Sequence, residues 1–356
     1  MLAAEDRVVL LQHGGLDSLT GKTGLAMLRH RFGPIVAVID PVHAGGSLEG
    51  ITGIRRDVPI VASLEEALPF VPEVAVVGLA PSGGHLPDPV RRDALAALRS
   101  GLSLASGLHT RLGQDPELCS ARQPGRWIWD LRCEPEDVRV GQARAAALSC
   151  RRLLALGTDM AVGKMSACLA LVEAAGRRHL PCRFVGTGQA GILIAGGGVP
   201  LDAVRVDYAA GAVEAAVLEA AEALPADGLV LVEGQGSLCH PGSTATLPLL
   251  RGSQPTDLLL VHRADQTSIE RLPQIPLPAL QELVNLCEAL AALGRPRAAG
   301  APPRVRAVAL NTARLGEQDA RSAVASVSDQ LGLPCTDPIR WGGERLLDAV
   351  LNSCGE

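Results

Sequence analysis

Short apolar runs alternate with amphipathic stretches along the whole chain. In the first half, RVVLLQH (7–13), IVAVID (35–40) and EVAVVGLA (73–80) have the length and continuous hydrophobicity of buried strands. The stretches TGLAMLRHRF (23–32) and DPVRRDALAAL (88–98) have the apolar spacing of helices. Strands that alternate with helices predict a parallel sheet covered by helices.

The same pattern begins again in the second half. The predicted strands are RRLLALG, CRFVGT, GLVLVE, DLLLVH and VRAVALN, and the first predicted helix is KMSACLALVEAAGRR (164–178). The segment from about Gln114 to Gly141 is rich in proline, charge and turn residues, so it separates the two halves. We therefore predict an α/β chain with two doubly wound parallel-sheet domains, residues 1–145 and residues 146–356.

Composition narrows the class of protein. Of the 356 residues, 47% are apolar and 20% are charged, which is typical of a globular chain. The net charge of -5 is spread out and aromatic residues are few, so we expect no nucleic-acid partner. No apolar segment reaches the ~18 residues of a membrane span, so we expect no membrane association and a cytoplasmic location. The nine cysteines form no C-x-x-C pair, so we predict no metal site. We expect a homo-oligomer that binds a small molecule.

The segment GTDMAVGK (157–164) lies between a predicted strand and a predicted helix, as a phosphate-binding loop does. The segment reads G-x5-G-K, with one residue more between its glycines than the pattern G-x-x-x-x-G-K-[ST], and Met165 replaces the hydroxyl residue that holds Mg²⁺. The competing interpretation is a tight turn that simply requires glycine. The residues predicted to bind phosphate or cofactor are Gly157, Thr158, Asp159, Met160, Ala161, Val162, Gly163, Lys164, Met165, Ser166 and, at a later strand end, Asn311.

Lysine is rare in this chain. Only Lys22 and Lys164 occur among 33 basic residues, and both follow a glycine. A slim ammonium fits inside a ring of backbone amides where a planar guanidinium would not. Both lysines are therefore candidates for function.

Polar residues follow several predicted strands, and ligands of doubly wound sheets bind beyond the carboxyl ends of the strands. Glu233 follows GLVLV and His240 lies in the same loop, so we predict both as catalytic residues and one of the two as the general base. A turn carboxylate and a hydrogen-bonding histidine are the competing interpretations. Asn311 can read an adenine edge through paired hydrogen bonds. The predicted substrate-binding residues are Thr187, Gln189, Gln235, His262, Arg263, Lys22, Ser82 and Gly83, with Arg205 and Arg251 as further cations for an acidic substrate.

The first half has its own glycine-rich loop, HGGLDSLTGKTG (13–24), and Asp40 ends the next predicted strand. That spacing is typical of a dinucleotide site, in which an acid binds a ribose, but the glycines do not form G-x-G-x-x-G. We expect instead that Lys22, the amides of APSGG (80–84) and His109 contribute to a cleft between the domains. The alternative is a scaffold domain whose glycines only turn the chain.

Several of these segments resemble known proteins. GTDMAVGK, LVEGQGSL and VALNT resemble the phosphate loop, the acidic strand end and the adenine-reading asparagine of dethiobiotin synthetase. Over nearly the whole chain, the sequence more closely resembles a two-domain family, once known only as a domain of unknown function, that includes D-glutamate N-acetyltransferase. The matching segments are GTDMAVGKMS, RFVGTGQAGILIAGGGVPLDAV, VEGQGSLCHPGS, LLRGSQPTDLLLVH, GLAPSGGHLP and SGLHTRL.

This resemblance implies a Rossmann-like N-terminal domain, a P-loop C-terminal domain, and acetyl transfer from acetyl-CoA to the amine of an acidic D-amino acid. Acyl transfer breaks no phosphate bond, so a loop without its Mg²⁺ ligand suits CoA binding better than phosphoryl transfer. Two alternatives stay open. One is an ATP- and Mg²⁺-dependent ligase or kinase of the dethiobiotin synthetase type, and the other is a nucleotide-binding protein without turnover.

Overall fold

The computed structural model describes residues 2–81 and 86–352, and the chain forms two compact units. The first unit is Met1–Cys133 with Gln189–Ala203, and the second is Glu134–Gly188 with Val204–Glu356. The boundary thus falls at 133/134 where 145/146 is expected, and the segment 189–203 belongs to the first unit. Ile192 and Leu193 of this segment pack into a core of the first unit, a long-range contact that a local pattern does not predict.

The strands of the described residues form two six-stranded sheets and one hairpin. In chain order they are β1 Val8–Leu11, β2 Ile35–Ile39, β3 Ile60–Val61, β4 Val74–Val77, β5 Ser103–Ser106, β6 Ile128–Asp130, β7 Arg151–Gly157, β8 Cys182–Val185, β9 Leu229–Val232, β10 Asp257–Arg263, β11 Ser268–Ile269, β12 Leu272–Pro276, β13 Arg304–Asn311 and β14 Cys335–Thr336. The first sheet has the order β3-β2-β1-β4-β5-β6 and the second β14-β13-β10-β7-β9-β8. All neighbouring strands in both sheets are parallel, which confirms the predicted fold class.

The α-helices lie between the strands, as the alternating pattern predicts. In chain order they are α1 Lys22–His30, α2 Leu48–Thr52, α3 Leu64–Ala67, α4 Asp88–Arg99, α5 Pro116–Ala121, α6 Lys164–Arg177, α7 Gln189–Ala195, α8 Val206–Glu222, α9 Thr246–Ser253, α10 Leu280–Ala292, α11 Glu317–Leu331, α12 Pro338–Trp341 and α13 Glu344–Leu351. The periodicity does not predict six helices of eight residues or fewer, namely α2, α5, α7, α9, α12 and α13. No helix in the described part of the chain is long and apolar enough to cross a membrane.

Strand β1 shows how the first sheet is covered on both faces. Val9 and Leu11 belong to one buried core, and Val8 and Leu10 belong to another. Successive side chains of a strand point to opposite faces, so a continuous apolar run is what a sheet with two covered faces requires.

In the second sheet, β7 marks the point at which the strand order changes direction. Strands β8 and β9 lie on one side of β7, and β10, β13 and β14 lie on the other. The direct neighbours of β7 are β9 and β10, so the carboxyl ends of these three strands lie side by side. Ligands of doubly wound sheets bind at such a point.

Candidate phosphate-binding and catalytic site

The predicted phosphate loop connects β7, which ends at Gly157, to α6, which begins at Lys164. Lys164 is only 7% exposed, and its Nζ donates a hydrogen bond to the carbonyl oxygen of Asp159 at 2.9 Å. A Cβ on Gly157 would lie 2.7 Å from Nζ, and a Cβ on Gly234 would lie 2.9 Å from Lys164 Cδ. Two glycines at neighbouring strand ends therefore leave the space that the lysine occupies.

Side chains hold four backbone carbonyl oxygens of the loop. The pairs are Ser237 Oγ to Thr158 at 2.8 Å, Lys164 Nζ to Asp159 at 2.9 Å, Arg263 Nη2 to Ala161 at 2.8 Å and Asn311 Nδ2 to Val162 at 2.9 Å. Ala161 and Gly163 have positive φ angles of 54° and 112°. Backbone that alternates in handedness forms concave groups of amides that bind anions. These hydrogen bonds fix the shape of the loop within the protein, which lowers the entropic cost of ordering the loop around a ligand.

The Asp159 carboxylate fastens the loop to the segment that leads into the β11–β12 hairpin. One carboxylate oxygen accepts from Met160 N at 2.6 Å, and the other accepts from Gln266 Nε2 at 2.7 Å and from Glu270 N at 2.9 Å. Glu270 in turn forms ion pairs with Arg263 and Arg314. The carboxylate of Asp159 therefore supports the loop through these hydrogen bonds.

Thr158 and His262 lie behind the loop. Thr158 is fully buried, and its Oγ1 is 3.0 Å from Nδ1 of His262, which is 7% exposed. Burial lowers the pKa of His262 to about 4, so the imidazole is neutral near physiological pH. The structure places His262 and Arg263 as supports of the loop, whereas both are predicted to bind substrate.

Glu233 lies just beyond β9 and is 6% exposed. Its Oε2 accepts hydrogen bonds from the backbone amides of Thr187 at 2.8 Å and Gly188 at 3.2 Å. Thr187 Oγ1 donates to the Glu233 carbonyl oxygen at 3.0 Å. The carboxylate is thereby held in one position, and its Oε1 makes no hydrogen bond within the described residues.

Burial dominates the ionisation of Glu233 and of Lys164. It raises the pKa of Glu233 to about 7, against the two backbone amides and the positive charge of Lys164, which favour the carboxylate. Burial also lowers the pKa of Lys164 to about 8, against the negative charges of Glu233 and Asp159. A carboxyl group that titrates near neutral pH can accept a proton from a substrate and release it again.

His240 lies in the loop after β9 and forms a tight turn with Gly242. The backbone amide of Gly242 donates to His240 Nδ1 at 3.0 Å. A neutral imidazole that accepts through Nδ1 carries its proton on Nε2, so the remaining ring nitrogen is a donor. Of the two predicted catalytic residues, Glu233 is thus the one whose geometry suits a general base.

The other predicted site residues are distributed over both units. Gln235 lies against Gly188, whereas Gln189 begins α7 in the first unit and packs on Gly107. Met165 and Ser166 are half-buried in the first turn of α6. Ser82 and Gly83 lie outside the described residues. Among the described residues, no three His, Cys, Asp or Glu side chains are grouped as metal ligands would be.

The glycine-rich loop of the first unit is filled by Gln12, which is fully buried. Its side-chain amide occupies the space in which a Cβ on Gly21, Gly24 or Gly78 would have to lie, and its Nε2 donates to Gly21 O at 2.9 Å. Lys22 is exposed at the start of α1.

The dinucleotide interpretation of the first unit is wrong for a physical reason. The Asp40 side chain is fully buried, and its Oδ1 accepts from the amides of Gly14 at 2.8 Å and Val42 at 3.1 Å. No oxygen of this carboxylate is left at the surface for a ribose hydroxyl, because Oδ2 is also buried, beside His43.

A cleft of about 300 Å³ borders the phosphate loop on the side of β13, and we call it the α6 cleft. Its walls include Val162, Ser166, Asn311, Pro338 and Ile339. The Asn311 amide uses one N–H for Val162 O, and its Oδ1 accepts from Ala313 N at 3.1 Å. One N–H and one lone pair therefore remain for a ligand.

Sequence patterns miss several residues that build this site. The hydrogen bond from Ser237 Oγ to Thr158 O spans 79 residues. Glu270 and Arg314 are missed for the same reason. The backbone amide of Glu270 donates to Asp159 across 111 residues, and Arg314 forms an ion pair with Glu270. Local periodicity carries no signal for contacts of this range.

Comparison with known proteins places the chain in a family. Residues 139–347 match a domain of unknown function, DUF1611, described as its C-terminal P-loop domain, and residues 41–134 match its Rossmann-like N-terminal domain. The chain belongs to this family. A crystal structure of a DUF1611 family protein from Anabaena variabilis is similar, with a TM-score of 0.88 and 50% identity over 98% of this chain and 100% of that one.

Two relatives of the family carry a functional name. A protein called D-glutamate N-acetyltransferase from Tritonibacter scottomollicae is 36% identical over 87% of this chain and 90% of its own length. A protein of the same name from a Pseudoalteromonas species is 32% identical over 82% of this chain and 84% of its own length. These matches confirm the family resemblance seen in the sequence.

Proposed function

We propose that this protein is an acetyl-CoA-dependent N-acetyltransferase that acts on an acidic D-amino acid. The names of the two relatives support an N-acetyltransferase. The observation that carries the CoA part of the proposal is the phosphate loop itself. It keeps a buried Lys164 and a fixed backbone but has Met165 where a hydroxyl would hold Mg²⁺. Such a loop suits phosphates that are bound and not transferred.

CoA has features that match the surroundings of the loop. Its pyrophosphate would lie on the amides of residues 157–164, next to Lys164. Its adenine would lie in the α6 cleft, where Asn311 has one free N–H and one free lone pair for the base edge. Pro338 and Ile339 offer apolar surface to the ring.

Glu233 is the proposed general base. The acceptor ammonium first loses a proton to the carboxylate, and the free amine attacks the thioester carbonyl carbon. A carbon–nitrogen bond forms, the carbon–sulfur bond breaks, and the second amine proton passes to the departing thiolate, which leaves as CoA. His240, with its proton on Nε2, or a backbone amide of the 234–237 turn can donate to the oxyanion.

The test is a transfer assay with purified protein, acetyl-CoA and D-glutamate in the presence of EDTA. We expect equimolar release of CoA thiol and N-acetylglutamate, measured by a thiol reagent and by mass spectrometry. ADP formation from ATP that requires both Mg²⁺ and substrate would instead establish the ligase or kinase alternative. Tight binding of acetyl-CoA or ATP with no product from either would establish a binding protein without turnover.

A further inference from the structure

A second cleft, of about 940 Å³, lies within the second unit, and we call it the α8 cleft. It is bordered by residues 140–143, the start of α8, residues 237–244 and helix α9. Its volume is within the range of small-molecule sites. The α6 cleft shares none of its lining residues.

The walls of the α8 cleft are firmly held. Glu214 of α8 is 1% exposed and accepts from Gln142 N at 3.1 Å, Arg144 N at 2.7 Å and Arg144 Nε at 2.8 Å. These bonds fix the segment 140–144 on α8. Gln254, after α9, donates through Nε2 to Arg251 O at 2.9 Å and Gly294 O at 3.1 Å. The cleft is thus formed by the fold and does not depend on a loose loop.

Two opposite charges line the α8 cleft without pairing. Arg251 of α9 and Asp207 of the first turn of α8 both border it and are exposed. Within residues 2–81 and 86–352, neither side chain has a hydrogen-bond or ion-pair partner. A third polar group in the wall, Gln254, is 1% exposed, and its Oε1 also has no partner in that part of the chain. A buried acceptor without a donor is costly, and a ligand that supplies the donor recovers this cost.

The other cations predicted for an acidic substrate are already neutralised. Arg205 pairs with Glu134 at 2.8 Å and lies over the ring of Tyr208 at 4.6 Å. Arg263 pairs with Glu270 and donates to Ala161 O. Of these three arginines, Arg251 is the one whose guanidinium has no partner among residues 2–81 and 86–352 and can pair with a carboxylate.

The α8 cleft adjoins the phosphate loop through Ser237. This serine borders the cleft, and its Oγ donates to Thr158 O of the loop. Ser243 and Thr246 add hydroxyl groups to the same lining. A ligand in the α8 cleft would therefore lie next to the loop that is proposed to hold the acyl donor.

We propose that the α8 cleft binds the acceptor amino acid, with Arg251 paired to an acceptor carboxylate and Asp207 attracting the ammonium group as the acceptor binds, before Glu233 takes its proton. The proposal rests on the proposed function. Arginine binds carboxylates through two parallel hydrogen bonds, and a cleft with both charges unpaired suits a zwitterion with an extra carboxylate. Val206 and Leu247 add apolar side chains to the lining of the cleft.

The experiment compares the wild type with Arg251→Gln and Asp207→Asn. Arg297→Gln serves as the matched control, because Arg297 is exposed and borders neither cleft. Binding of D-glutamate is measured by titration calorimetry, and KM is measured for D-glutamate, D-glutamine and acetyl-CoA. We expect Arg251→Gln to raise the Kd and KM for D-glutamate about 10- to 100-fold. The KM for acetyl-CoA should stay unchanged, the preference for D-glutamate over D-glutamine should fall, and Asp207→Asn should weaken both acceptors.

The outcomes separate this inference from the proposed function. If the wild type transfers acetyl groups but Arg251→Gln keeps the wild-type KM for D-glutamate, the α8 cleft is not the acceptor site and the function stands. If the wild type binds D-glutamate in an Arg251-dependent way but transfers nothing, the cleft is supported and the function is not. If the wild type neither binds nor converts D-glutamate, both are overturned. Equal melting temperatures of all variants exclude unfolding as the cause.

Discussion

The ammonium of Lys164 lowers the pKa of Glu233, and the carboxylate of Glu233 raises the pKa of Lys164, so each group favours the charged form of the other. Burial opposes both shifts and is the stronger effect, so the pKa of Glu233 is about 7 and that of Lys164 is about 8. The pair therefore changes its charges within the range of pH in which enzymes usually work.

The rate of acetyl transfer is expected to pass through a maximum between pH values of about 7 and about 8. Below this window Glu233 is protonated and cannot take a proton from the amine. Above it Lys164 loses the charge that attracts phosphate, so the Kd for acetyl-CoA should rise. The measurements are kcat/KM and the Kd of acetyl-CoA as functions of pH. A Kd that stays constant as pH rises through the pKa of Lys164 would contradict the role of its charge.

Glu233→Gln is expected to stabilise the fold at alkaline pH and not in acid. The pKa of Glu233 is raised from its ordinary 4.5 to about 7, so the folded chain binds this proton more tightly than the unfolded chain. That stabilisation is complete below the ordinary pKa and is lost as pH rises through the folded value. The neutral amide avoids the loss, which corresponds to about 3 kcal/mol in the free energy of unfolding above neutral pH. Urea unfolding of the wild type and the variant, at a pH below the ordinary pKa and at a pH above the folded value, measures this difference in stability. Acetyl transfer by the variant should also be slower than that of the wild type.

Lys164→Gln and Lys22→Gln form a matched pair, since they change the two lysines of the chain in the same way. We expect the first to weaken acetyl-CoA binding about 100-fold, because a charge-assisted contact with phosphate is lost in a buried site. Lys22 is exposed, so its substitution should change binding less than about twofold. Similar losses in both variants would mean that the lysine of the first unit also meets the ligand.

Gly234→Ala should damage the site more than a typical surface substitution. The new Cβ would collide with the carbonyl oxygen of Ala155 and lie 2.9 Å from Lys164 Cδ. We expect a loss of about 2 kcal/mol or more in the free energy of unfolding, together with weaker binding of acetyl-CoA. Gly176→Ala in α6 is the control. Its Cβ would meet nothing within 4 Å, and alanine in a helix is favoured over glycine by about 1 kcal/mol. Thermal unfolding of both variants, with and without acetyl-CoA, compares their stability and the stabilisation that the ligand gives.

The sequence predicts the parts of the fold and site that depend on neighbouring residues. Two parallel sheets, the loop at 157–164 and the acid after β9 all follow from local periodicity and glycine spacing. The interpretation of Asp40 as a ribose-binding group does not agree with the structure, because buried backbone amides already occupy its carboxylate. The role of Lys22, which is exposed, stays a prediction. Which arginine is free could also not be predicted, since the partners of Arg205 and Arg263 are revealed only by tertiary contacts.

The assignment of residues 189–203 to the first unit has a practical consequence for truncation. A fragment that starts at Glu134 would carry α7 without the core that Ile192 and Leu193 fill. A fragment that stops at Cys133 would lack those two side chains. We therefore expect either half, produced alone, to expose apolar surface and aggregate, and solubility to return only when residues 189–203 are kept with the first unit.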